Sequence, residues 1–194
     1  MVKTIKKKII LASESPRRQE LLKHIFDNFE IRPSNTDEAL SEAISPIDAV
    51  MFLAHQKAEG VAQENDGIII GADTVVVLGD AILGKPRDES CAKEMLLKLS
   101  DKTHKVLTGI CVFDTYTGKM SCSYSCTDVT FDRITPQEAD EYLLQNESLD
   151  KAGGYAIQGK GSKFVKSING CYYNVVGLPI NLLYEILKGF ELGG

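Results

Sequence analysis

Residues 13–18 (SESPRR) form the first polar cluster with the makings of a binding site. They join an apolar run to the start of a predicted helix, where unpaired backbone N–H groups and the helix dipole favour an anion. Arg17 and Arg18 in the first helical turn oppose that dipole. A bound phosphate would resolve the conflict, because guanidinium groups and helix amides would then share one anion. The alternative is that both arginines project into solvent.

A second candidate is Asp73, in the segment GADT at residues 71–74, between the apolar runs 68–70 and 75–77. An aspartate there is costly to bury unless it meets a cation or takes part in proton transfer. A metal-ligating or water-activating carboxylate fits this location. A turn aspartate at the end of a strand also fits it.

Two lysines are candidates for phosphate contacts. Lys85 lies between a glycine and a proline at residues 84–86, either pointing at a phosphate or exposed on an ordinary loop. The segment is not a Walker A loop, because proline follows the lysine. Lys57 falls at the edge of the apolar stripe of a predicted helix, where its stem has the alternative of lying along the apolar surface.

The segment 150–161 (DKAGGYAIQGKG) has four glycines between positions 153 and 161. That density indicates close approach of the backbone to a ligand, or tight turning in a structural loop. Gln158 carries both a donor and an acceptor and is suited to reading a base edge. The three histidines, His24, His55 and His104, have no spacing typical of a ligand set and are expected at the surface or at helix caps.

The composition of the whole chain limits the class of function. Its 194 residues are 43% hydrophobic and 25% charged, with a net charge of −5, so a general nucleic-acid binder is disfavoured while a local basic pocket is allowed. The apolar run after Lys8 is too short for a signal peptide, and no run suffices for a membrane span. We therefore expect a cytoplasmic protein whose five cysteines are reduced (Cys91, Cys111, Cys122, Cys126 and Cys171).

The elements that position these residues alternate between strands and helices. Predicted strands cover residues 8–12, 29–32, 68–70, 75–78, 81–83, 104–116 and 119–133; predicted helices cover 16–26, 46–61, 88–100, 136–146 and 179–188. Ser45 and Thr135 are the expected N-caps of two helices, and residues 135–138 form a capping box. Residues 150–176 are expected to be loop plus strands. The pattern predicts a mixed α/β fold with some antiparallel pairing.

These motifs resemble those of the Maf family, and they occur in the same order along the chain. The matching segments are LASESPRRQELL at 11–22, GADTVV at 71–76, GKP at 84–86, DKAG at 150–153, YAIQG at 155–159 and VGLP at 176–179. The resemblance spans nearly the whole chain and implies one domain over residues 1–194. It implies an elongated α/β fold with a central cleft, similar to the inosine triphosphatase group, in which a twisted sheet is flanked by helices. The long hairpin over residues 104–133 and the helix that follows it are expected to form a second lobe beside the cleft, but no independent second domain.

The resemblance also implies an activity: hydrolysis of a nucleoside triphosphate to the monophosphate and pyrophosphate, with a divalent cation (Mg²⁺ or Mn²⁺) and commonly as a homodimer. Neither nucleic acid nor a membrane is an expected partner. Two other hypotheses stay open: a non-catalytic nucleotide-binding regulator of septum formation and cell division, and a nucleotidyltransferase that needs an acceptor.

Residue by residue, the resemblance assigns Asp73 as proton acceptor. The specificity positions are Arg17, Thr74 and Gln158, a combination that resembles the branch acting on dTTP and UTP. Further active-site positions, most of them for phosphate contacts, are Ser13, Arg18, Lys57, Lys85 and Glu38. Our hypothesis gives water activation to Asp73 and metal coordination to Glu38 with Asp73. A shift of one residue in the alignment would give the role of Glu38 to Asp37.

Overall fold

The computed structural model describes residues 7–34 and 44–192, which form a mixed α/β protein. The strands are β1 (Ile9–Leu11), β2 (Glu30–Ile31), β3 (Ile68–Leu78), β4 (Ala81–Leu83), β5 (Thr103–Asp114), β6 (Lys119–Phe131) and β7 (Val165–Asn169). The helices are α1 (Pro16–Leu22), α2 (Pro46–Ala62), α3 (Glu89–Leu99), α4 (Pro136–Leu143), α5 (Tyr172–Val176) and α6 (Ile180–Leu187), with two short 3₁₀ turns at Ala152–Gly154 and Lys160–Phe164.

All seven of these strands belong to one mixed sheet. Its order is β2-β1-β3-β5-β6-β7, with β4 paired to β3. Strand β1 runs parallel to both β2 and β3, whereas β4 is antiparallel to β3 and β7 is antiparallel to β6. The predicted mixed α/β class, with a twisted sheet flanked by helices, is confirmed.

The chain divides into two compact units. The first unit comprises residues up to 73, residues 108–125 and those from 177 onward; the second unit comprises residues 74–107 and 126–176. Both are discontinuous because β3, β5 and β6 contribute residues to each. The single domain with two lobes around a cleft stays a prediction.

The core of the first unit packs α2 against β1, β3 and β5. Two glycines bring the helix close to the sheet: a Cβ at Gly71 would lie 2.2 Å from the backbone oxygen of Ala54, and one at Gly109 would lie 2.2 Å from that of Val50. Any larger residue would push the helix away. This close approach places Lys57, on α2, beside strand β3.

The core of the second unit is rich in aromatic side chains. Phe131, Tyr142, Tyr155 and Phe164 pack with apolar residues of α3 and α4. Helix α4 begins with the predicted capping box: the Thr135 hydroxyl accepts from the Glu138 amide at 3.2 Å, and the Glu138 carboxylate accepts from the Thr135 amide at 2.8 Å. The predicted N-cap of α2 is confirmed too, since the Ser45 hydroxyl accepts from the Asp48 amide at 3.1 Å.

Two predicted elements were wrong. Residues 71–74 do not separate two strands but lie inside the continuous strand β3, because Gly71 fits against α2 and Asp73 meets a cation. Residues 172–176, expected to be loop or strand, form helix α5. The amide of its buried Asn174 donates to the Val106 carbonyl at 2.8 Å and to the Thr127 hydroxyl at 2.9 Å, so tertiary contacts fix the helix.

The expectation of five reduced cysteines was also wrong. Cys111 on β5 and Cys122 on β6 are joined by a disulfide bond, with their Cα atoms 4.1 Å apart. The two cysteines are 11 residues apart in sequence, and their spacing alone did not indicate a pair. They come together because β5 and β6 are neighbours in the sheet. Cys91, Cys126 and Cys171 are free thiols.

Candidate active site

Asp73 and Lys57 form a buried ion pair in the first unit. The Lys57 ammonium lies 2.6 Å from Asp73 Oδ1, and the two side chains are only 12% and 11% exposed. Asp73 is therefore not a turn residue, and Lys57 does not reach for solvent along the helix. The lysine fixes the orientation of the carboxylate through one oxygen. An ionised carboxylate has about four acceptor positions, so the bond to Lys57 uses only part of its acceptor capacity.

The first and last Maf-like motifs meet at Arg18. Its Nη1 donates to the Ser13 hydroxyl at 3.2 Å, and its Nε donates to the carbonyl oxygen of Gly177 at 2.9 Å. The Ser13 hydroxyl also accepts from the backbone amide of Ser15 at 3.3 Å. These bonds hold the guanidinium at the strand-to-helix junction instead of letting it extend into solvent. Arg17, the preceding residue in α1, is half-buried.

The sheet register places Ser13 close to the segment of β3 that carries Asp73. Leu11 of β1 pairs with Ile70 of β3, and the Ala12 amide donates to the Ile70 carbonyl at 2.9 Å. Continuing this register by two residues puts Ser13 beside residue 72. Ser13 follows the end of β1 by two residues and Asp73 lies on the neighbouring parallel strand β3, so the hydroxyl that holds Arg18 and the carboxylate that holds Lys57 come from adjacent parts of the sheet.

The second unit contains the other predicted residues. Thr74 is half-buried on β3, whereas Lys85 and Gln158 are exposed on loops. The Gly153 amide donates to the Gly84 carbonyl at 3.0 Å, which brings the GKP and DKAG motifs together. The structure thus groups Ser13, Arg17, Arg18, Lys57 and Asp73 in the first unit, and Thr74, Lys85 and Gln158 in the second. Glu38 and its alternative, Asp37, lie outside the described residues.

His104 was expected at the surface, and this was wrong. It is 2% exposed, and its Nε2 lies 2.8 Å from the Tyr155 hydroxyl. Burial lowers the pKa of His104 to about 4, so the ring is neutral at pH 7. The sequence did contain a signal: Thr103 and Lys105 are polar and Val106 is apolar, and in a strand His104 lies on the same face as Val106.

The family follows from a match over almost the entire chain. The model of the family Maf, described as Maf-like protein, matches residues 8–190. This chain belongs to the Maf family. Among its relatives is a dTTP/UTP pyrophosphatase of Bacillus cereus (strain G9842), 52% identical over 187 residues, covering 96% of this chain and 97% of that one. Another is a dTTP/UTP pyrophosphatase of Clostridioides difficile (strain 630), 48% identical over 183 residues and 94% of each chain.

A solved structure shows the same fold. The Staphylococcus aureus Ham1 protein superposes on this Maf protein with a TM-score of 0.55 at 18% identity, covering 94% of this chain and 99% of that one. This likeness concerns the fold alone, and it confirms the predicted similarity to the inosine triphosphatase group. Within residues 7–34 and 44–192, no helix is both long and apolar enough to cross a membrane.

Proposed function

We propose that this Maf protein is a nucleoside triphosphate pyrophosphatase acting on dTTP and UTP, with modified pyrimidine triphosphates as further candidate substrates. The products are the nucleoside monophosphate and pyrophosphate. The names of the two relatives, which are about half identical to it over nearly the whole chain, support this activity. The observation that carries the proposal is the buried Asp73 carboxylate, held at 2.6 Å by Lys57.

The reaction needs a group that orients and deprotonates water for attack on the α-phosphorus. Asp73 is suited to this task, because Lys57 holds one carboxylate oxygen and leaves acceptor capacity on the group. Lys57 fixes this base and supplies positive charge beside it. Arg17, Arg18 and Lys85 are the proposed phosphate-binding cations, which counter the charge that moves onto pyrophosphate as the α–β bond breaks.

A divalent cation, Mg²⁺ or Mn²⁺, belongs to the proposal, with Asp73 and Glu38 as its protein ligands. Among the described residues, no three His, Cys, Asp or Glu side chains are grouped to hold a metal ion. Mg²⁺ commonly takes only one or two carboxylates and completes its shell with water and substrate phosphates, so this sparse donor set fits it. When bound, the cation withdraws charge from the phosphate oxygens.

Base selectivity is proposed for Gln158 and Thr74, by hydrogen bonds to the edge of a uracil-type base. A wrong base would leave these groups unpaired. Unpaired polar groups discriminate between substrates more strongly than a difference of size in an apolar pocket does. The homodimer and the cytoplasmic location implied by the resemblance and the composition are parts of the same proposal, and neither nucleic acid nor a membrane is a proposed partner.

The activity is tested by incubating the purified protein with dTTP, UTP or GTP and Mg²⁺ and assaying pyrophosphate. We expect release from dTTP and UTP at least tenfold faster than from GTP, without any acceptor, because guanine would leave the proposed base contacts of Gln158 and Thr74 unpaired. A non-catalytic regulator would release none, and a nucleotidyltransferase would need a sugar-phosphate acceptor; either result contradicts the proposal.

A further inference from the structure

Gln158 lies on a loop between the 3₁₀ turns Ala152–Gly154 and Lys160–Phe164 of the second unit. Its side chain is exposed. An exposed side chain on a loop takes a defined position only where the backbone on either side of it is fixed. The contacts at the two ends of this loop therefore decide where the Gln158 amide points.

Before Gln158, the loop is anchored in the aromatic core. The buried Tyr155 hydroxyl lies 2.8 Å from His104 Nε2, and the next amide, of Ala156, donates to the Tyr142 hydroxyl at 3.1 Å. The Phe131 ring meets Tyr155 at 4.7 Å and His104 at 4.8 Å between ring centroids, both nearly edge-on. Tyr155 is thus held by its hydroxyl and by its ring.

After Gln158, a carboxylate holds the backbone. Glu147 Oε2 accepts from the Lys160 amide at 2.8 Å. A Cβ at Gly159 would lie 2.1 Å from the same oxygen, so glycine lets the carboxylate come this close. Gln158 is therefore flanked on both sides by polar contacts to other parts of the second unit.

The buried His104–Tyr155 contact lowers the stability of the core relative to an apolar pair. Nδ1 of His104 is buried and has no hydrogen-bond partner within the part of the chain that the structure describes. Burying an imidazole with one unmet nitrogen destabilises a protein relative to an apolar ring of similar size. A polar pair at such a cost, in an otherwise apolar cluster, is better explained by a role in function than by stability.

We propose that His104 and Tyr155 are positioning residues that set the preference for uracil-type bases by fixing the loop that carries Gln158. The inference rests on the proposed pyrophosphatase function and on the role of Gln158 in it. Both residues act through the loop backbone and touch no substrate.

Tyr155→Phe tests the inference, because it removes only the hydroxyl and keeps the ring against Phe131. We expect KM for UTP to rise roughly five- to tenfold, the usual size of one hydrogen bond, with kcat changed less than twofold. The ratio of kcat/KM for UTP over GTP should fall by the same factor. In a Gln158→Ala background, Tyr155→Phe should cause no further loss of this ratio, because the hydroxyl acts through Gln158. Tyr184→Phe, which removes an exposed tyrosine hydroxyl from α6, is the matched control.

Equal losses for UTP and GTP, or a full additional loss in the Gln158→Ala background, would overturn the inference and leave Tyr155 a structural residue. If Tyr155→Phe folds poorly, His104→Phe/Tyr155→Phe replaces the whole pair by apolar rings and should lose selectivity while keeping its melting temperature. A parent protein that releases no pyrophosphate, or shows no preference for UTP over GTP, contradicts the proposed function itself, which separates the two failures.

Discussion

Asp73→Asn is expected to lower kcat for dTTP and UTP about a thousandfold, within the range of general-base contributions. Asparagine keeps the size of the side chain but neither accepts a proton from water nor attracts a cation as a carboxylate does. KM should change by only a few-fold, because the arginines and Lys85 are untouched. The measurement is pyrophosphate release at saturating nucleotide and fixed Mg²⁺.

Asp80→Asn is the matched control, since Asp80 is exposed in the turn between β3 and β4. It should retain the parental kcat. Thermal unfolding of each variant separates loss of chemistry from loss of fold, because Asp73→Asn leaves the Lys57 ammonium beside a neutral amide. Hydrolysis of dTTP by Asp73→Asn at more than a tenth of the parental rate would remove Asp73 from the catalytic role.

Lys57→Met is expected to lower the free energy of unfolding by about 3 kcal/mol, at the lower end for breaking a buried pair. Methionine matches the length of the apolar stem but leaves the buried Asp73 carboxylate without its 2.6 Å partner. An uncompensated buried charge costs more than the lost attraction alone. Urea unfolding in the presence of EDTA measures the effect free of divalent cations.

Lys57→Met/Asp73→Asn should be more stable than Lys57→Met, because no charge is then left buried. Lys102→Met, at an exposed position, should stay within about 0.5 kcal/mol of the parent. If Lys57→Met unfolds at the same urea concentration as the parent protein and with an equal slope, the ion pair does not stabilise the fold, and its role in holding Asp73 would have to be abandoned.

Helix starts were predictable because their chemistry is local. The Ser45 and Thr135 caps depend on residues only three positions ahead, so hydroxyl, proline and acidic residues in sequence were enough to place them. The candidate site could be predicted as a set of residue types, since the motifs retain their order along the chain. The contacts between these residues could not be predicted from the sequence.

The pairs that build the site join residues far apart in sequence. Lys57 and Asp73 are 16 positions apart, and Arg18 and Gly177 are 159 apart. The pairing of Lys57 with Asp73 depends on the packing of α2 against Gly71. The same tertiary contact keeps the GADT segment within a strand, although its residue types locally favour the end of one. The burial of His104, in contrast, could have been predicted from the alternation in β5.

Attack of water on the α-phosphorus is tested most directly by hydrolysing UTP in water enriched in oxygen-18. We expect mass spectrometry to find one labelled oxygen in the phosphate of UMP and none in pyrophosphate, since the bond to the α-phosphorus is the one that forms. Label in pyrophosphate, or release of orthophosphate with UDP, would place the attack on another phosphorus and contradict the role given to Asp73.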